Sequence, residues 1–279
     1  ADGNVFSFRR ELNVSEPGVR DRWFEPLDRN IDFTFSPDND SIRVVSWNGS
    51  RMLEIPSQIY NVTKSGEAVS NANVVFLSSL NRSENRTYYV MSSKYEFSKS
   101  YSGINYTDTG LDNKTENAYF RTYFNQSLGG LMRDTESKVG TGDSLVGSEP
   151  MDFFPELDVG LTNFKARIDN TAEINVSEGP LLTEISVSGN LNDDDSKPYT
   201  VDCSVYAANP YILCEKNVTA ENSETWSNFY LNGLIGSDRR FSYISYENSS
   251  DNIVSRSLTD GDGTDYTSLD SDMKWISLY

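Results

Sequence analysis

The sequence predicts an all-β protein built as an antiparallel β-sandwich, and three observations carry that prediction. Its apolar segments are strand-sized, rich in Val, Ile, Phe and Tyr, and closed off by clusters of Asn, Asp, Gly, Pro and Ser. Segments such as Arg240-Phe-Ser-Tyr-Ile-Ser-Tyr246 and Leu182-Thr-Glu-Ile-Ser-Val-Ser188 nearly alternate between apolar and polar residues, as a sheet with one wet face requires. No long segment keeps a 3.6-residue period. The best helical candidate, 128–138, contains the pair Gly129-Gly130.

Taken in order, the strands are expected at 5–9, 31–35, 42–47, 52–55, 73–77, 87–91 and 119–124. The second half adds 161–168, 172–176, 181–187, 199–206, 211–216, 227–231, 240–246 and 274–278. Between the two groups lies a polar, Gly-rich stretch, 137–149, which reads as a long loop or linker. The expected organisation is therefore an N-terminal β part (1–136), the linker, and a C-terminal β part (150–279), one sandwich or two packed subdomains. Loops at 190–197 and 260–272 are acidic.

Charge sets the environment. With 24 Lys and Arg against 42 Asp and Glu, the formal net charge is −18. A field of that sign repels phosphate backbones and anionic headgroups, which argues against nucleic acid or a membrane surface as partner. Arg outnumbers Lys, and an acidic, Lys-poor surface suits concentrated salt, where repulsion is screened within a few ångströms. The charge balance reads as haloarchaeal in type. No run reaches the ~20 apolar residues of a bilayer span, so no direct membrane insertion is expected. The polar start, Ala1-Asp-Gly-Asn-Val5, reads as the product of signal cleavage, and the terminal strand leaves room for an anchor encoded beyond Tyr279.

Histidine is absent. That removes His general bases, Ser-His-Asp and Cys-His triads, and His-ligated metal sites. Any chemistry falls to Tyr, Arg, Lys or carboxylates, and no cofactor is implied.

Two further patterns place the chain outside the cell. Asn-X-Ser/Thr sequons recur at Asn13, Asn48, Asn61, Asn81, Asn85, Asn105, Asn113, Asn125, Asn175, Asn217 and Asn248, predicting covalent N-glycans. Asn48 lies in Trp47-Asn-Gly-Ser50, a hairpin-turn pattern. The two cysteines flank a turn, Ala207-Ala-Asn-Pro210. Folding about its centre sets Cys203 opposite Cys214. Pro210 lacks an N–H, which makes that a non-hydrogen-bonded pair with Cα atoms about 4.5 Å apart. A cross-strand disulfide is predicted.

The second group of strands carries a family likeness. Asn175-Val-Ser-Glu-Gly-Pro-Leu-Leu-Thr-Glu-Ile-Ser-Val-Ser-Gly, the strand 199–206, and Asn209-Pro-Tyr-Ile-Leu-Cys-Glu-Lys-Asn-Val resemble the β-supersandwich of galactose-mutarotase-like domains, as in polysaccharide lyases. Ile55-Pro-Ser-Gln-Ile-Tyr, Asn73-Val-Val-Phe-Leu and Arg86-Thr-Tyr-Tyr-Val resemble its leading part. The resemblance implies a carbohydrate-facing scaffold.

Glycan clefts pair aromatic faces with carboxylates and Arg. Candidates are Trp226 and Tyr230, with Tyr119, Arg121 and Tyr123 alternating along one strand. In a lyase, Tyr243 or Tyr246 would serve as base, with Arg239 and Arg240 clamping a uronate. Asp260, Asp262 and Asp265 resemble an oxygen-rich calcium loop but lack the closing Glu, and Asp193–Asp195 form a second acidic loop. The expected function is a structural or glycan-binding surface protein, with partners in self-association or cell-surface glycans. It would form part of a surface layer or filament, with 5–8 or 274–278 as strand-exchange donors. The alternatives are a polysaccharide lyase or other carbohydrate-active enzyme, and the ectodomain of a membrane-anchored or virion spike protein.

Overall fold

The computed structural model describes residues 8–18, 21–34, 37–92, 103–108, 112–139, 156–159, 162–166, 169, 171–193, 197–219, 226–230, 243–247, 253–257 and 276–278. The strands are β1 (Phe8–Ser15), β2 (Arg22–Asp32), β3 (Arg43–Trp47), β4 (Met52–Ile55), β5 (Ser57–Ser65), β6 (Ala68–Leu80) and β7 (Asn85–Ser92). They continue as β8 (Asn105–Asp108), β9 (Asp112–Glu116), β10 (Phe120–Asn125), β11 (Leu131–Ser137), β12 (Glu156–Val159), β13 (Thr162–Lys165) and β14 (Glu173–Ser177). The last are β15 (Leu182–Asn190), β16 (Pro198–Tyr206), β17 (Ile212–Val218), β18 (Trp226–Tyr230), β19 (Tyr243–Glu247), β20 (Ile253–Ser257) and β21 (Ile276–Leu278). The fold is all-β and antiparallel, as the alternation predicts.

The chain forms two compact units that interleave along the sequence. The first gathers residues 1–120, 174–188 and 200–216; the second holds the remainder. In the first unit, β1-β7-β3-β4 make one sheet and β2-β6-β5 a second. They pack over a core that includes Ile31, Ile42, Val44, Ala72, Val74, Phe76, Tyr88 and Val90. Phe76 and Tyr88 rings lie 4.8 Å apart.

The third layer is β14-β15-β16-β17. It covers the other face of β2-β6-β5 through Leu182 and Tyr206, which pack on Tyr60 and Val75. Strand β6 therefore buries side chains on both faces, which is why Val74-Val75-Phe76-Leu77 is continuously apolar rather than alternating. Gln58 ties the two layers together. Its Oε1 accepts the Leu181 and Leu182 N–H groups at 3.0 and 2.9 Å, and its Nε2 donates to the Leu182 carbonyl at 2.9 Å. The side chain thus stands in for a piece of neighbouring strand. Gly179 admits it: a Cβ there would lie 2.1 Å from Gln58 Nε2.

The predicted disulfide is present. Cys203 on β16 joins Cys214 on β17 with Cα atoms 4.1 Å apart, and the connecting turn falls at 207–211. The best helical candidate, 128–138, is not an α-helix, in keeping with the all-β reading. A 3-10 turn, Gln126–Leu128, gives way to Gly129 and Gly130, both at φ 67°, and then to strand β11. Two consecutive left-handed residues break an α-helix. Gly129 is also pressed so closely on the Ala166 carbonyl that a Cβ would sit 2.1 Å from it.

Within the second unit, Asp169 is fully buried. Its Oδ1 accepts the Thr171 N–H and hydroxyl, and its Oδ2 accepts the Asn190 N–H. Tyr199 donates its hydroxyl to the Gly129 carbonyl at 2.8 Å. β12-β13-β18 and β19-β20-β21 complete this unit as three-stranded sheets. The expected donor segment 274–278 contributes β21, which pairs with β19. Of the other, 5–8, Phe8 alone falls within the described residues, and it pairs with Ser92.

Candidate functional site

The second and third layers of the first unit do not close along their whole length, and the opening forms the candidate site. Beside it lies the outward face of β2-β6-β5, which enters the cleft lining at Asn61. Register puts Asp28 opposite Val75, Asn30 opposite Asn73, Asp32 opposite Asn71 and Tyr60 opposite Asn73, so these side chains share a face. The amides form a ladder. Asn30 Nδ2 donates to Asn71 Oδ1 at 2.9 Å and Asn73 Oδ1 at 2.7 Å, and Asn71 Nδ2 donates to Asp32 Oδ1 at 2.8 Å.

Across from it lies the face of β15 and β16 that carries Leu182, Glu184 and Ser186 with Asp202, Ser204 and Tyr206. At one end Leu182 and Tyr206 close against Tyr60. At the other Ser186 and Asp202 are exposed, and the Ser186 hydroxyl donates to Asp202 Oδ1 at 2.6 Å. The alternation of β15 thus turns from core to cleft along one face. The cleft has a volume of about 460 Å³, lined by Asn61, Asn175, Ser177, Glu184, Ser186, Asp202 and Ser204 among others. That falls within the usual range of small-molecule sites. Asn61 stands at its edge with φ 48°, where the β5–β6 register shifts. Such a bulge re-aims the strand.

Electrostatics at the closed end are unusual for an acidic surface. The Tyr60 hydroxyl donates to Asp28 Oδ2. Asp28 Oδ1 is buried and meets no hydrogen-bond partner among the described residues. Burial pushes the Asp28 carboxyl above its ordinary range, partly offset by the neighbouring Arg29. Burial likewise raises Glu184, with further contributions from Asp28 and Asp202. The Tyr206 phenol rises for the same first reason, reinforced by Asp28. Among the described residues no Lys or Arg lines the cleft. Such a wall accepts hydrogen bonds from hydroxyl and ammonium groups and repels carboxylates.

Among the described residues, the cleft lining includes the predicted sequons Asn61 and Asn175 and the disulfide's Cys203, and none of the aromatic or arginine candidates. Arg121 and Tyr123 do share a face of β10, where Arg121 Nη1 meets Glu136 Oε2 at 3.0 Å and the Tyr123 hydroxyl lies 3.4 Å from Glu136 Oε1. Their polar groups are already engaged by β11. Tyr119 precedes the strand, with its N–H donating to Asn117 Oδ1 at 2.8 Å. Trp226, Tyr230, Tyr243 and Tyr246 lie in β18 and β19, whose backbone alone is described. Arg239, Arg240, Asp260, Asp262 and Asp265 lie outside the described residues, as does Asn248. Among the described residues, no group of three or more Asp, Glu or Cys is placed to hold a metal ion.

The sequon asparagines divide by exposure. Asn13, Asn48, Asn61, Asn81, Asn85, Asn105, Asn175 and Asn217 are exposed, and Asn125 is half-buried. Asn48 Oδ1 accepts the Ser50 and Arg51 N–H groups at 3.1 and 2.9 Å, holding the β3–β4 turn. Asn113 differs: it is 7% exposed, and its Oδ1 accepts the Tyr106 hydroxyl at 2.5 Å. A further sequon, Asn39-Asp40-Ser41, escaped the sequence reading; Asn39 is exposed at the start of a 3-10 turn.

Sequence reasoning also missed Asp28, Tyr60, Glu184 and Asp202. Only register and layer packing bring them together, and no local spacing announces it. No family model matches this chain, and no curated protein matches it.

Proposed function

We propose that the protein is an extracellular, N-glycosylated surface protein that works by binding or assembly rather than by catalysis. The observation that carries this reading is the exposure of the sequon asparagines, several of them on turns where a bulky glycan disturbs no core. The disulfide supports it, because such bonds persist in oxidising compartments. Among the described residues no helix is long and apolar enough to cross a membrane. The net charge of −18 supports a salty medium. Stacking of three sheets in the first unit supports the likeness to supersandwich domains.

The cleft favours glycan binding over a lyase. A uronate chain needs a cation beside its carboxylates, and this wall supplies carboxylates of its own. Neutral or amino sugars fit its acceptors. The test is negative-stain electron microscopy of the native protein in molar salt beside a low-salt control, with sugar titrations followed by hydrogen exchange at β15 and β16. Ordered polymers, or protection by a neutral oligosaccharide, support the reading. Dispersed protein that is unprotected by sugars and eliminates uronate polymers overturns it.

A further inference from the structure

Trp23 and Phe24 are 64% and 51% exposed. Strand β2 carries them out of its ladder: Arg22 pairs with Leu80 and Glu25 with Ser78, so both aromatic residues stand against Ser79 alone. Phe24 sits at φ 54°, a left-handed conformation that bulky side chains rarely adopt.

The bulge is held from two sides. The Phe24 N–H donates to Ser79 Oγ at 3.0 Å, and its carbonyl accepts Asn209 Nδ2 at 3.5 Å. Asn209 is 3% exposed, and its own carbonyl is bound by Asn117 Nδ2 at 2.8 Å. Beside it the Tyr211 hydroxyl donates to Glu25 Oε2 at 3.2 Å. A strained turn sustained in this way puts two aromatic rings into water.

An exposed sequon adjoins them. Leu80 is the register partner of Arg22. Beyond Asn81, the Arg82 N–H donates to Asp21 Oδ1 at 2.7 Å and Arg82 Nε to the Gly18 carbonyl at 2.6 Å. Asn81 therefore stands across from Asp21, about 7 Å of strand from Trp23. Its Nδ2 donates to Glu84 Oε2 at 3.0 Å. A glycosylated amide keeps one N–H for that bond while the other position carries the sugar.

We propose that a glycan on Asn81 folds back over the Trp23–Phe24 bulge, its sugar rings stacking on the aromatic faces and its hydroxyls meeting Glu25 and Arg22. The inference rests on the reading that the chain is N-glycosylated. Attachment exchanges one Nδ2–H bond for an Nδ2–C bond. The sugar comes from an activated, phosphate-linked donor, whose phosphate leaves as the amide proton passes to solvent. Charge argues against the other occupants. An anionic lipid surface would meet the carboxylates of Asp21 and Glu25 beside the rings. The aromatic pair is also flanked by Asp21, Arg22 and Glu25, which a dry protein face would have to desolvate and a sugar would not.

The test is a thermal double-mutant cycle on protein expressed in its native host, with glycopeptide mass spectrometry at Asn81. Variants are Asn81→Gln, Ser83→Ala as a second route to an empty site, Trp23→Ala, and their combinations. Each single change should lower Tm, and emptying Asn81 in the Trp23→Ala background should lower it no further. If Asn81 is occupied but the effects add, the proposal fails and the glycosylation reading stands. An empty Asn81 beside occupied sequons elsewhere also ends it, and sugar on no sequon sinks the underlying reading instead. Concentration-dependent association abolished by Trp23→Ala would assign the bulge to a second copy.

Discussion

The two faces of the β2-β6-β5 sheet are written by the same strands and do opposite work. Toward β1-β7-β3-β4 they present Ile31, Ala72, Val74 and Phe76, all buried in a dry core. Toward β14-β15-β16-β17 they present Asp28, Asn30, Asn71, Asn73 and Tyr60, half-buried or exposed except at Tyr60. The first face is covered along its length. The second is covered where Leu182 and Tyr206 meet Tyr60 and Val75 and where Leu181 and Ala207 meet Leu77, and polar groups follow toward Asn30 and Asn71. A two-residue period thus separates stability from recognition within one sheet, and each face answers differently to mutation.

The largest effect should come from the dry face. Phe76→Ala removes a fully buried ring that stacks with Tyr88, and should cost about 3–5 kcal/mol in urea unfolding. Next comes the seam between layers. Gln58→Ala strands the buried Leu181 and Leu182 N–H groups and should cost about 2–3 kcal/mol. A loss below 0.5 kcal/mol (about the effect of a neutral surface change) would mean that water replaces the amide without penalty.

On the wet face the sign reverses. Glu184 has a raised folded pKa, so the folded state binds more protons than the unfolded one and stability falls as pH climbs past the ordinary carboxyl value. Glu184→Gln should therefore stabilise the protein near pH 7, by about 0.5 kcal/mol given its partial solvation. The gain should fade on acidification through the ordinary carboxyl range. A pH-independent effect would remove the electrostatic account of the cleft. Smallest is Asn30→Ala, which breaks exposed amide bonds and should shift stability by less than about 0.5 kcal/mol in urea unfolding.

Legibility in the sequence followed the range of the interactions. The Cys203–Cys214 hairpin was readable because an eleven-residue separation spans one turn, and Pro210 dictates which pairs hydrogen-bond. Val74-Val75-Phe76-Leu77 announced a strand, and its burial on both faces emerged only from the packing of three layers. Strand β2 was hidden over 22–30, where charged residues, Pro26 and the Trp23–Phe24 bulge break the alternation. The third layer drew on 174–188 and 200–216 to build a unit with 1–120, and no local pattern carries that long-range pairing. Asp28 and Glu184 are remote in sequence and adjacent only through packing. At Asn113 the motif was legible, but its burial depended on the β8–β9 pairing and Tyr106.

The account stands most directly on where sugar sits. Glycopeptide mass spectrometry of protein purified from its native host should find glycans at exposed positions, Asn48 and Asn81 among them, and an unmodified Asn113. Every sequon peptide recovered unmodified would contradict it.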